Sequence, residues 1–167
     1  MIGGDSRGYT DPVSPSPVTE PAGALLPAIA AGLVGALVGG IAWGLIAKIS
    51  NYEVGFVAWG IGFIAGTAVV LATRGAKGPR LQVIAVVSAL LGILLGKYLA
   101  FAFAVQDDAK AAGDSIGLVS GDMFSLFRDN LDVAFGFFDL LWVGFAVFAA
   151  WRIPQHDAPE PAPAPNE

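Results

Sequence analysis

Apolar positions in this chain gather into four long blocks separated by short polar or charged stretches. Each block holds about 20 residues or more, enough for a helix rising 1.5 Å per residue to cross roughly 30 Å of hydrocarbon. The pattern predicts helices over 24–49, 54–73, 81–104 and 133–151. Pro27 falls in the first turn of the first block, where a missing N–H is tolerated. The expected fold is all-α, an integral membrane four-helix bundle.

The connections set the topology. Ser50-Asn51-Tyr52-Glu53 is so short that the first two helices must be antiparallel neighbours, and Asn51 suits a left-handed turn. Arg74-Gly-Ala-Lys77-Gly-Pro-Arg80 carries cations and no acid, which marks a cytoplasmic loop under the positive-inside rule. Arg7 and Arg152 fall on the same side. The third connection is rich in acids: Asp107, Asp108, Asp114, Asp122, Asp129 and Asp132 stand there against Lys110 and Arg128. An N-in, C-in arrangement follows. Within that outer loop Ser120 can cap a short helix whose Met123, Phe124 and Phe127 share one side, as an interfacial helix would.

Residues 1–22 and 153–167 are rich in proline and acids, lack hydrophobic periodicity, and read as disordered tails around a transmembrane domain at 23–152. The acidic start and the long first block do not fit a signal peptide, so the first helix is expected to be retained.

Composition sharpens the picture. The chain is 55% hydrophobic and 14% charged, with a mean hydropathy of +0.67, well beyond what a soluble domain of this size needs. It has no cysteine, and its single histidine, His156, lies in the C-terminal tail. Thiolate metal sites, disulfides and intramembrane imidazole ligands are thereby excluded. The net charge of −5 argues against nucleic acid as a partner. No metal-ligand pair, phosphate loop or serine-centred triad is present, so no catalytic, cofactor-binding or metal residues are assigned and no enzymatic activity is expected.

Glycines recur at four-residue spacing: Gly35 with Gly39, Gly40 with Gly44, Gly62 with Gly66, and Gly92 with Gly96. Such residues let helix backbones approach where lipid supplies no hydrophobic drive. They serve either to pack the bundle itself or to dock another subunit, most plausibly along the first helix.

Two charges lie inside the apolar blocks. Asp139 falls about 10 Å into a helix that starts near residue 133, and a short carboxylate there must be neutral, paired or facing a wet cavity. Lys97, beside Tyr98, lies at comparable depth in the third helix and is a geometrically plausible partner; Lys48 is the alternative. Lys97 either snorkels to the outer interface, forms a structural ion pair, or belongs to a relay. The inner half offers only Thr67 and Ser88 to continue such a relay. Lys48 and Glu53 each suit the dipole at their own helix end. Trp43, Trp59 and Trp151 fall where interface anchors are expected.

The stretch from Gly39-Gly-Ile-Ala-Trp-Gly through Asn51-Tyr-Glu-Val-Gly-Phe-Val-Ala-Trp-Gly-Ile-Gly-Phe-Ile-Ala-Gly to Gly92-Ile-Leu-Leu-Gly-Lys-Tyr resembles a group of uncharacterised bacterial small membrane proteins. The resemblance implies a bacterial inner-membrane protein and carries over no catalytic residues. The expected role is a non-enzymatic accessory or assembly subunit. Its expected partners are the lipid bilayer and either other membrane subunits or further copies of the chain, met through the glycine-lined faces. The alternative is a small transporter or channel with Asp139 and Lys97 in a polar cavity.

Overall fold

The computed structural model describes residues 23–50 and 55–155. The expectations for residues 1–22, for Asn51 and Glu53 in the first turn, and for His156 and the residues after it concern positions outside those described. Among the described residues every regular element is helical: α1 (Leu25–Ser50), α2 (Phe56–Ala72), α3 (Pro79–Ala111), α4 (Gly121–Asp129), α5 (Leu131–Ala134) and α6 (Phe137–Arg152). Of these, α1 and α3 are long and apolar enough to cross a membrane.

The four long helices alternate in direction. Gly35 and Gly39 of α1 face Ala65 and Ile61 of α2, an antiparallel register, whereas Gly32, Gly40 and Gly44 face Ser88, Leu95 and Leu99 of α3, a parallel one. Likewise Gly62 and Gly66 of α2 run parallel to Ala146 and Ala150 of α6. α2 and α3 touch each other and both flanking helices, while α1 and α6 do not meet. The section is therefore a diamond with α2 and α3 across its short diagonal.

Packing inverts the usual order of sizes. The buried positions of α1 are Ala28, Gly32, Gly35, Ala36, Gly39, Gly40, Trp43 and Gly44, and its outward positions are large: Leu26, Leu37, Val38 and Ile49 are all more than half exposed. The same holds around the molecule, where Phe63, Leu71, Leu140 and Phe148 point away from the bundle. Helix backbones come close because little side chain intervenes. A Cβ on Gly40 would stand 2.7 Å from the carbonyl oxygen of Gly92, and one on Gly92 would stand 3.0 Å from the backbone of Ala36. Two buried clusters result. One gathers Ala28, Ala65, Val69, Leu81, Ala85, Ala89 and Ala150; the other is built on Trp43, Ala58, Ile61, Ile93 and Ala146.

Several boundaries differ from the hydropathy reading. α3 continues past residue 104 to Ala111, because hydropathy marks where lipid would end and not where a helix must. Gln106, Asp107 and Lys110 are no barrier to a helix, and α3 stops where Gly113 supplies a left-handed turn at φ 79°. The bundle also reaches beyond 152 at its other end. Pro154 is buried, its carbonyl accepts the Gly78 N–H at 3.0 Å, and Gln82 Nε2 donates to the Trp151 carbonyl at 3.0 Å. These bonds tie the end of α6 to the start of α3. In the 112–136 region, Ser120 caps α4 by accepting the Met123 N–H at 3.1 Å. Met123 and Phe127 turn inward, and Phe127 packs edge-on against Tyr98 and Phe101 of α3.

The largest departure is at α6. The span expected over 133–151 is broken: α5 ends at Ala134, Phe135 and Gly136 are extended, and α6 begins at Phe137. Gly136 adopts φ −85° and ψ 170°, and its N–H donates to the carboxylate of Asp139 three residues on, at 2.7 Å. Asp139 thus occupies the third position of a helix, where an acid satisfies an otherwise orphan donor and meets the positive end of the dipole.

Candidate functional site

The site is built where α3 passes the start of α6. Lys97 stands on the inward face of α3 and is buried, at 1% exposure, and its Nζ donates to Asp139 Oδ2 at 2.9 Å. Asp139 is 18% exposed. One carboxylate oxygen therefore serves two roles, neutralising a buried ammonium and capping α6 through Gly136. The break at Gly136 is what allows this. Had the helix run unbroken from 133, Asp139 would lie mid-helix with the Gly136 N–H already engaged by a backbone carbonyl.

Around the ammonium the walls are aromatic. Lys97 Nζ lies 5.7 Å from the ring centroid of Trp43 on one side and 5.7 Å from that of Phe135 on the other, within the range where a ring face attracts a cation. Trp43 is not an interface anchor. It is 1% exposed, fills the space left by Gly96, and its Nε1–H is buried without a hydrogen-bond partner among the described residues. Trp59 and Trp151 are 48% and 43% exposed, and point outward as anchors would. Lys48 lies elsewhere, 4.6 Å over the ring of Phe103 in the last turn of α1. As α1 and α6 do not meet, Lys48 is not the partner of Asp139.

Every glycine of the four spaced pairs faces another helix of the same chain. Gly35 and Gly39 meet α2, Gly40 and Gly44 meet α3, Gly62 and Gly66 meet α6 or the residue after it, Gly92 meets α1 and α2, and Gly96 meets Trp43 of α1. Their close-approach surface is consumed inside the bundle. In the four long helices two glycines look outward, Gly60 and Gly144, with nothing within 4 Å of an added Cβ. The four-residue spacing does not reveal these two, since neither has a glycine four positions away.

Beside the ion pair a cleft of about 480 Å³ opens between α3 and α6, with Asp139 on its wall. Its other sides are apolar, among them Leu90, Leu94, Phe137 and Leu140, all exposed at its mouth. A second apolar cleft of about 580 Å³ lies beside Gly144, between Trp59 and Phe148. Neither cleft is signalled by the sequence, because each is formed by side chains from separate segments. Among the described residues no group of three or more metal-ligating side chains comes together. At the opposite end of the bundle Thr73 Oγ1 donates to the Val69 carbonyl one turn back at 2.9 Å, and Gln82 is satisfied across the bundle by the Trp151 carbonyl.

Comparison with protein-family models, curated proteins and solved structures finds no match for this chain.

Proposed function

We propose that this chain is a four-span membrane protein of a bacterial inner membrane, with both termini cytoplasmic, acting as a non-enzymatic accessory subunit of a larger membrane assembly. The observation that carries the reading is the inverted packing, with small residues inside and large apolar ones outside. In water such a surface would drive association without limit. In a bilayer it is the ordinary lipid- or partner-facing side of a bundle held by close backbone contact. The 17 residues of α2 and 16 of α6 rise only about 25 Å each, so these two would cross by drawing in flanking residues or thinning the bilayer locally.

The docking face is not the one the glycine spacing suggests, since those glycines are spent internally. It is the outer face of α2 and α6, where Gly60 and Gly144 offer the remaining small-residue notches. Native mass spectrometry of the protein extracted in nanodiscs from its own membrane tests the reading: a heteromeric mass is expected, and Gly144→Leu should release the partner while leaving the bundle folded. A monomer or pure homo-oligomer would sink it. Outside labelling of a cysteine placed at Ala76 would reverse the orientation.

A second reading, transport through the Lys97–Asp139 region, is favoured by the cleft that reaches Asp139. It predicts flux in proteoliposomes that Asp139→Asn abolishes.

A further inference from the structure

The cleft between α3 and α6 has the composition of a small-molecule site: a volume within the roughly 300 to 1,000 Å³ of ligand pockets, apolar walls, and few polar groups to fix orientation. The polar group here is the carboxylate of Asp139. Its Oδ2 already accepts from Lys97 at 2.9 Å and from the Gly136 N–H at 2.7 Å, which leaves Oδ1 as the acceptor that a guest could use. The mouth is framed by Leu90, Leu94, Phe137 and Leu140, exposed on the side that the membrane reading turns to lipid. A guest would enter sideways from the acyl layer and not from water.

We infer that this cleft binds a lipophilic molecule carrying one neutral hydrogen-bond donor, a long-chain alcohol or phenol, with its hydroxyl donating to Asp139 Oδ1 and its hydrocarbon along Leu90 and Leu94. The head group follows from charge. An anionic head would be repelled by the carboxylate and could not donate to it. A cationic head would sit within a few ångströms of the Lys97 ammonium in a water-poor site, where like charges repel strongly. A hydroxyl pays the smallest desolvation cost and still gains a charge-assisted bond. The inference rests on the membrane reading only for its route of entry, and it requires no partner subunit.

The test uses the full-length protein in nanodiscs and a diazirine-bearing hexadecanol as the probe, with crosslinks mapped by mass spectrometry. Labelling is expected on the segments 90–94 and 135–143, and hexadecanol should compete about tenfold better than palmitate, which cannot donate to Asp139, and about tenfold better than hexadecylamine, whose charge is repelled by Lys97. Leu94→Trp, which fills the cleft without touching the ion pair, should abolish the labelling. Asp139→Asn should reduce the preference for the alcohol to less than about threefold; if that variant does not fold, the Leu94→Trp result decides. Equal competition by the three amphiphiles, preference for the amine or the acid, or labelling that survives Leu94→Trp would overturn the inference. None of these outcomes alters the mass found for the native assembly, so the two proposals fail separately.

Discussion

α3 is joined to its two flanking helices by opposite means. Against α1 it presents Gly92 and Gly96, and the contact is backbone on backbone and backbone on the Trp43 ring, with Gly40 of α1 facing the Gly92 carbonyl. Against α6 it presents Lys97, and near the start of α6 the contact is one ion pair with an apolar cleft of about 480 Å³ beside it. The first seam is made of many small dispersion contacts that depend on distance alone. The second concentrates its attraction in two charges whose withdrawal from water is offset only while both are present. A glycine seam should lose stability in proportion to the crowding introduced; an ion-pair seam should fail at once when a single partner is removed.

Mixed-micelle denaturant titrations can break that contrast. Asp139→Ala should have the largest effect, a loss of about 3 to 5 kcal/mol, because it strands a buried ammonium and uncaps α6 together. Adding Lys97→Met to that variant should recover most of the loss, since replacing both members of a buried pair by apolar groups is often near neutral. A double variant no more stable than Asp139→Ala alone would show that the cap and not the pair carries the seam. Gly92→Ala comes next. Its Cβ would stand 2.8 Å from Ile61 and 3.0 Å from the backbone of Ala36, and the expected cost is about 1 to 3 kcal/mol from overpacking. A neutral result there would mean that α1 and α3 can part without penalty. The smallest effect is a gain: Gly144→Ala on the outward face, where an added Cβ meets nothing, should stabilise α6 by about 0.5 to 1 kcal/mol through helix propensity.

The same contrast explains what could be read in advance. Glycine spacing identifies residues that need close neighbours, but it is silent on whether the neighbour belongs to the same chain, since an internal and an external helix make identical demands on a small residue. Only the placement of Ala36, Ile61, Trp43 and Ala146 opposite those glycines assigns them to the interior. Trp43 illustrates the converse. Its position near the end of an apolar block suits an interface anchor, yet Gly96 opposite it opens a hole that the indole fills.

By itself the sequence determined the helical character of the chain, the two helices long and apolar enough to cross a membrane, and the Ser120 cap of α4, because each depends on residues near one another along the chain. The start of α6, the burial of Lys97, its bond to Asp139 across 42 positions, and the cleft beside them were decided by tertiary structure alone. Hydropathy averages over a window and passes smoothly across Phe135 and Gly136. The helix breaks there because its third residue finds both the Gly136 N–H and the ammonium of Lys97, and that second group is brought within reach only when α3 and α6 pack.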